Sequence, residues 1–550
     1  MKKWLSGCLA VAMLITTAAS LSACKNQGGG GTEDENDPYK KYSSEVTYTT
    51  VRAAAADPKL PDGMDLNNNP YVDFMKEYLN VKCEILWEDS MYDDKLLLDV
   101  TSGTIPDVFM VNDYATYQQL YASDMLADLT DVYEKYASDE MKDIYNSYAD
   151  ETGRNRILEP VTEGGRLMAL PSTANGYQQA LLWVRKDWLD ALGLQPPKTI
   201  DEIADVARKF VEQDPGGNGP GNTIGLNAYR EHAFQGYRNS YGLEPLAGAM
   251  GAFPRQWMQN EDGQVYYGTI QPEFKQVLSK VREWFDAGIM DQKCFDQNWE
   301  TVWANVDNGK AGMWFFPWSW PTTAFKQNNP RAEVICYPAP LDDNGQATFF
   351  TGCPFEGILC VRKGYEHPEV VFKVYNLYTD MTDDTLHEGY EALAPTRDAG
   401  TAWYYLAPLG SYACRYDDVI PRNTAKLKKW IEDGTEPTPF TDSTKESWNK
   451  VKSWIENEDD DANWVEYMGR YVASGVVDSP ECNPVNPVFF FQTDTMIEQW
   501  DYLETIENDM IRTIMSGEES IDAFDAFVED WKTNGGDEIT AEVQQYLAER

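Results

Sequence analysis

The stretch GTIPDVFMVND, residues 103–113, decides the fold. After Pro106 and Asp107 it runs through four apolar residues, Val108 to Val111, and stops at the polar pair Asn112 and Asp113. That reads as an apolar strand closing a regular alternation upstream. EVTYTTV (45–51) is strand-like, and Tyr71, Phe74, Met75, Tyr78 and Leu79 form the stripe of an amphipathic helix. Val81, Cys83, Ile85 and Trp87 then share one face of a second strand, and a second helix lies near 92–102. Strand, helix, strand, helix, strand is the signature of a mostly parallel sheet with helices packed over it. The rest of the chain is richer in helix: Phe274, Val277, Leu278, Val281, Trp284 and Phe285 line one stripe, and similar stripes run through 369–380, 496–515 and 521–531.

The amino-terminal end concerns location. Lys2 and Lys3 precede an apolar run from Cys8 to Ile15 and the segment Leu21, Ser22, Ala23, Cys24. This is a secretory signal, residues 1–23, ending in what resembles a lipobox, so the expectation is diacylglycerol on Cys24. Each buried methylene of an acyl chain contributes about 0.8 kcal/mol, and two chains anchor a protein without a spanning helix. Residues 24–44 carry four consecutive glycines and mixed charge with nothing to bury, as in a flexible tether. The expected place is therefore extracytoplasmic, on the outer face of the cell membrane.

Composition narrows the classes. With 42% hydrophobic and 13% aromatic residues, 550 residues suit two or three lobes better than one core. Ninety acidic against 46 basic residues give a net charge of −44, which argues against a nucleic-acid ligand, because phosphate contacts need clustered Lys and Arg. Leaving aside Cys8 in the signal and Cys24, seven cysteines remain, with no C-x-x-C pair, which favours buried thiols over a disulfide scaffold.

Five segments in order resemble the large extracellular solute-binding proteins of carbohydrate ABC importers. They are GTIPDVFMVNDYATYQQLYASDMLADLT (103–130), the stretch from GGRLMALPSTANGYQQ through PPKTIDEI (164–203), GKAGMWFFPWSWP (309–321), VRKGYEHPEVVFKVYNLY (361–378) and the ending at 514–543. The resemblance implies an α/β protein of the type II periplasmic-binding-protein fold, with two lobes that close on a ligand about a hinge. The first lobe would hold 45–172 and 352–400, and the second, helix-rich lobe 173–351 and 401–550, with crossings near 170–177 and 350–356. It also implies a monomer that captures an oligosaccharide, hands it to permease subunits of an ABC transporter, and touches the membrane only through its lipid.

A sugar has hydroxyls at its rim and C–H faces above and below, so its site needs aromatic plates with polar side chains at the edges. Trp314, Trp318 and Trp320 lie in a stretch broken by Pro317 and Pro321, which favours a cleft lining over a regular core element. Asn112, Asp113 and Tyr114 follow a strand at its carboxyl end, where open α/β sheets present ligand loops; an Asp there is also a common helix cap. Trp87 and Glu88 end another strand, while Tyr177, Glu356 and Trp403 lie at or near crossings. DPGGNGPGNT (214–223) resembles a calcium-binding loop of the family, with Asp214, Asn218 and Asn222 as spaced oxygen donors. Gly216 stands where a second carboxylate belongs, so a structural calcium and a bare Gly-rich turn both stay open, and no cofactor is required.

No H-E-x-x-H, G-x-S-x-G or G-x-x-x-x-G-K-[ST] motif occurs, and His232, His367 and His387 are the only histidines. The expectation is a binding protein rather than an enzyme. A glycosidase, which needs only two carboxylates, is the rival reading, and a lipid-anchored carbohydrate sensor the third.

Overall fold

The computed structural model describes residues 37, 39–149, 153–174, 176–236, 240–294, 296–383, 385–436, 442–458 and 460–549. Residues 24–36, Cys24 among them, and residue 38 of the expected tether lie outside them, whereas Tyr42 near its end packs on the first lobe and donates to Glu369 Oε1 at 2.8 Å, so the tether is shorter than expected.

β1 (Val46–Ala53) and β2 (Val81–Asp89) pair in parallel. Between them α1 (Pro70–Phe74) starts where Asn69 Oδ1 accepts the amides of Tyr71 and Val72, with proline at the position that needs no donor. α2 (Tyr92–Ser102) leads into β3 (Val108–Val111), whose four side chains are all buried. β3 is tied to β1 through Asp107, which accepts from the amide of Thr49 at 2.9 Å and its hydroxyl at 2.7 Å. The strand Phe355–Val361 then inserts between β3 and Leu170–Thr173, antiparallel to both. A chain returning from the second lobe enters at the carboxyl edge of the parallel strands, so it has to run the other way.

The second sheet has the order Val334–Tyr337, Leu181–Arg185, Ala311–Phe316, Ile224–Asn227. Its pleat sends side chains to two cores in alternation. Leu182, Val184, Met313 and Phe315 meet the helices Ile200–Gln213, Pro272–Asp286, Asp494–Ser516 and Ala523–Trp531. Leu181, Trp183, Trp314 and Phe316 face Trp299–Asp307, Thr323–Asn328, Val419–Asp433 and Asp461–Glu466. The helix Ile200–Gln213 is held at its start by Thr199 and Glu202 in a reciprocal capping box.

The first lobe's core draws on Val46 to Leu170 and on Ile358 to Cys414. Tyr405, Leu406, Leu409, Tyr412 and Cys414 belong to it, past the expected limit at residue 400, and the Tyr412 hydroxyl lies 2.7 Å from that of Tyr145. The chain therefore passes between the cores three times, around 174–180, 351–354 and 415–419. Cys294, Cys336, Cys360 and Cys414 are buried thiols, and Cys83, Cys353 and Cys482 are half-buried; none is in a disulfide.

Candidate functional site: the space between the lobes

The crossings meet around one arginine. Arg156 donates to Asp417 on the third crossing, to Asn486 Oδ1 of the second lobe at 2.8 Å and to Thr351 Oγ1 on the second crossing at 3.4 Å, with its guanidinium 5.3 Å from the centre of the Tyr148 ring. Burial pushes the Asp417 carboxyl up, and the Arg156 charge opposes that. Beside them opens a cavity of about 280 Å³ whose lining includes Tyr148, Tyr177, Asn486, Phe490, Phe491 and Tyr546. Arg154 on the same wall pairs with Glu159. Ring faces beside carboxylate, guanidinium and amide edges are the furniture a polyhydroxylated ligand needs.

A second cavity, of about 260 Å³, lies at the carboxyl ends of β1 and β3, between Arg52, Tyr92, Asn112, Tyr404 and Gly410. The short helix Trp403–Leu406 beside it carries Trp403, 45% exposed, and Tyr404, 39% exposed, with rings at 88° and centroids 6.0 Å apart. Trp403 is the one exposed tryptophan among the described residues. The Arg415 guanidinium sits 5.4 Å from the centre of its ring, and the Arg415 amide donates to Thr173 Oγ1 at 2.7 Å, joining the third crossing to the first.

The residues singled out from sequence separate into three groups. Tyr177 lines the interlobe cavity, Asn112 lines the second and donates to Asp93 Oδ1 at 2.8 Å, and Trp403 stands exposed beside it. Glu356 is exposed on the strand next to Phe355, whose ring faces Phe491 at 5.7 Å. A second group is engaged within the fold. Asp113 caps α3 (Tyr114–Ala122) by accepting the Thr116 amide at 2.7 Å. Tyr114 is buried, donates to the Pro160 carbonyl and has its ring centroid 3.9 Å from that of Phe491. Trp87 is half-buried, donates to Asp99 Oδ2 at 2.8 Å and has the Lys95 amine over its ring at 4.7 Å. Glu88 accepts the Tyr405 hydroxyl at 2.7 Å; burial and that bond push the phenol up to about 12.

The third group corrects the sequence reading. Trp314 and Trp320 have no exposed surface at all, so neither presents a face to a sugar in this structure. The turn closed by the Trp320 amide on the Pro317 carbonyl folds that ring back onto the sheet, 4.6 Å from Trp314, 4.7 Å from Trp183 and 4.9 Å from Phe325. The proline-broken stretch is a core corner because the helix Asp461–Glu466, more than a hundred residues on, brings Trp464 over it. Trp318 between them stays half-exposed under the Arg470 guanidinium at 4.6 Å.

A further aromatic group, Tyr229, Trp299 and Trp303 near the carboxyl end of Ile224–Asn227, was not singled out from the sequence and lines neither cavity. Trp299 lies 5.7 Å from Tyr229 and 5.4 Å from Trp303, which donates to Asp307 Oδ2 at 3.0 Å; all but Tyr229 are half-buried. Two tryptophans four apart on a helix just before a buried strand were the available signal.

In the 214–223 loop, the Asp214 carboxylate accepts the amides of Asn218 at 3.0 Å and Gly219 at 2.8 Å and the Thr223 hydroxyl, and the last of these leads in holding it below the usual carboxylate range. The Asn218 side-chain amide donates to Thr223 and to the Gly309 carbonyl. Gly216 supplies no oxygen from its side chain and packs against Trp188. Calcium takes six to eight oxygens, and the side chains of this loop alone supply fewer, so a bound ion would also need backbone carbonyls or water.

Residues 43–380 match the bacterial extracellular solute-binding protein family, and the chain belongs to that family. Its place is accordingly outside the cytoplasm, and no helix among the described residues is long and apolar enough to cross a membrane. It is 22% identical over 345 residues to the fructooligosaccharide ABC transporter substrate-binding protein FusA of Streptococcus pneumoniae, an alignment spanning 61% of each chain, so it matches about three fifths of that relative's length. It is 23% identical over 552 residues to lipoprotein LipO of Bacillus subtilis, across 99% of this chain and 98% of that one. Among solved structures it is similar to an HMO-binding, ABC-transporter-associated solute-binding protein from Bifidobacterium longum infantis, with a TM-score of 0.57, 16% identity and coverage of 91% and 98% of the two chains. That likeness is one of fold, the two-lobed α/β architecture.

Proposed function

We propose that the protein is the substrate-binding component of an ABC importer, which captures an oligosaccharide between its lobes and delivers it to permease subunits without chemical turnover. The observation that carries this reading is the cavity bounded by all three crossings, with Tyr177, Phe490, Phe491 and Tyr546 as ring surfaces and Arg156, Asp417 and Asn486 as polar edges. A ligand there touches both lobes and the segments about which they turn, so binding favours the closed arrangement. Trp403, with Tyr404 and Asn112, extends the surface along the first lobe, and Trp318 and Glu356 are its further contacts. Both FusA and the Bifidobacterium protein bear names that describe binding for ABC transport, which supports the reading. The cavity's carboxylates Glu159 and Asp417 are engaged by Arg154 and Arg156, which weighs against a free acid and nucleophile pair of the glycosidase kind.

The chain acts as a monomer held to the outer face of the membrane by lipid on Cys24, with residues 24–36 as tether; the name of LipO is in keeping with that anchor. The loop 214–223 works without calcium.

The test is a thermal-shift screen of neutral and acidic oligosaccharides, followed by chromatography after a day of incubation. A ligand at a hundred times its dissociation constant stabilises by about 2.7 kcal/mol. At least one member should raise the melting temperature and be recovered intact. Cleavage abolished by replacing one carboxylate overturns the binding-only reading, and a screen in which no saccharide stabilises the protein overturns saccharide capture.

A further inference from the structure

The junction of the lobes carries four arginines on or beside the crossings, and three are matched by carboxylates. Arg154 pairs with Glu159, Arg156 with Asp417 and Arg422 with Asp418. The fourth, Arg415, is exposed, and no ion pair engages it among the described residues; its guanidinium is held over the exposed Trp403 ring, 5.4 Å from the centre. Arg415 is thus an exposed cation beside the proposed ligand surface with no carboxylate matched to it among the described residues, in a chain whose net charge is −44.

We infer that the captured saccharide carries a carboxylate, as a uronic acid does, and that Arg415 binds it beside the Trp403 ring. The inference rests on the saccharide-capture reading and narrows it to a substrate class. A guanidinium lying over an indole keeps its edge of N–H donors directed outward, and that planar fork matches a carboxylate with two parallel charge-assisted hydrogen bonds. Fixing Arg415 over a ring also lowers the side-chain entropy lost when the carboxylate docks. The acidic surface does not prevent this, since exposed charges more than about 8 Å apart are largely screened at physiological salt. The backbone of Arg415 is anchored independently of its side chain, by the amide on Thr173 and by its carbonyl, which accepts the Tyr148 hydroxyl at 3.0 Å. Truncating the side chain therefore leaves the crossing in place.

Calorimetry on the full-length protein with oligogalacturonates, oligoalginates and glucuronate-bearing xylo-oligosaccharides, each beside its carboxyl-reduced neutral counterpart, tests the inference. The expected result is that at least one acidic member binds ten-fold or more tightly than its reduced counterpart, with affinity falling as salt rises from 50 to 500 mM. Arg415→Ala and Arg415→Gln should each lose ten-fold or more for that acidic ligand while the ligand-free melting temperature stays put, and Arg415→Lys should recover part of the loss. A purely structural role for Arg415 would move the melting temperature and leave the salt dependence unchanged. Binding of neutral saccharides alone overturns the inference and leaves saccharide capture standing, as does an acidic ligand whose affinity changes less than two-fold in Arg415→Ala. Failure of every saccharide, acidic or neutral, overturns both.

Discussion

Two aromatic stretches of similar appearance meet opposite fates. WFFPWSW (314–320) runs from the end of a sheet strand towards a short helix of the second lobe, and its first and last tryptophans are sealed in a core with Trp183, Phe325 and Trp464. WYYL (403–406) sits on the margin of the first lobe; Tyr405 and Leu406 turn inward while Trp403 and Tyr404 remain 45% and 39% exposed. The denser stretch is the more deeply buried. Clustered rings bury so much apolar area that a fold gains most by covering them, whereas rings left in solvent beside a cavity are the arrangement that needs a functional explanation.

The comparison breaks or holds on truncation. Trp320→Ala should show the largest effect, about 3 to 5 kcal/mol of stability, because it opens a cavity among four packed rings. Denaturant melting reads this directly, and a variant as stable as the parent would mean that the corner is not packed. Trp403→Ala should leave ligand-free stability within about 0.5 kcal/mol, as exposed substitutions do. It should weaken saccharide binding by about 1 to 3 kcal/mol, the value of a ring face removed from water. Undiminished binding in calorimetry would move the ligand surface away from this segment. Trp318→Ala belongs between the two, since the ring is half-exposed under Arg470: about 1 kcal/mol, divided between stability and affinity.

Smaller effects separate the lobes by their chemistry. In the first lobe, burial, with the neighbouring Asp383 next in weight, raises the Asp380 carboxyl to about 6. The folded state then holds that proton more tightly than the unfolded chain does. Its contribution to stability is therefore present below about pH 4 and lost as pH rises through about 6. Asp380→Asn should accordingly melt above the parent at pH 7, with the gain shrinking towards pH 4; a gain independent of pH would assign the effect to something other than this titration. In the second lobe, the hydrogen-bonded loop around Asp214 predicts that adding a calcium chelator shifts the melting temperature by less than about 1 °C. A clear destabilisation by chelator would show that the loop does hold the ion.

The alternation from Glu45 to Asp113 already specified a parallel βαβαβ start, because strand and helix periods are local properties of the chain. The carboxyl ends of those strands could be read as well, which is how Asn112 was placed at a cavity. The antiparallel sense of the return strand Phe355–Val361 and the place of the third crossing, at 415–419 rather than near 400, were not legible, since each depends on where a remote segment packs.

By itself, then, the sequence determined the class of fold, the order in which the lobes are built and the chemistry available to a site, all of which follow from local periodicity and residue type. Which tryptophans face a ligand was decided only in three dimensions. Trp320 is hidden because Trp183 and Trp464, distant in sequence, close over it, and Trp403 is exposed because the first lobe's core ends at Tyr405 and Leu406. Burial is a property of the partners a ring finds, and a linear pattern does not name them.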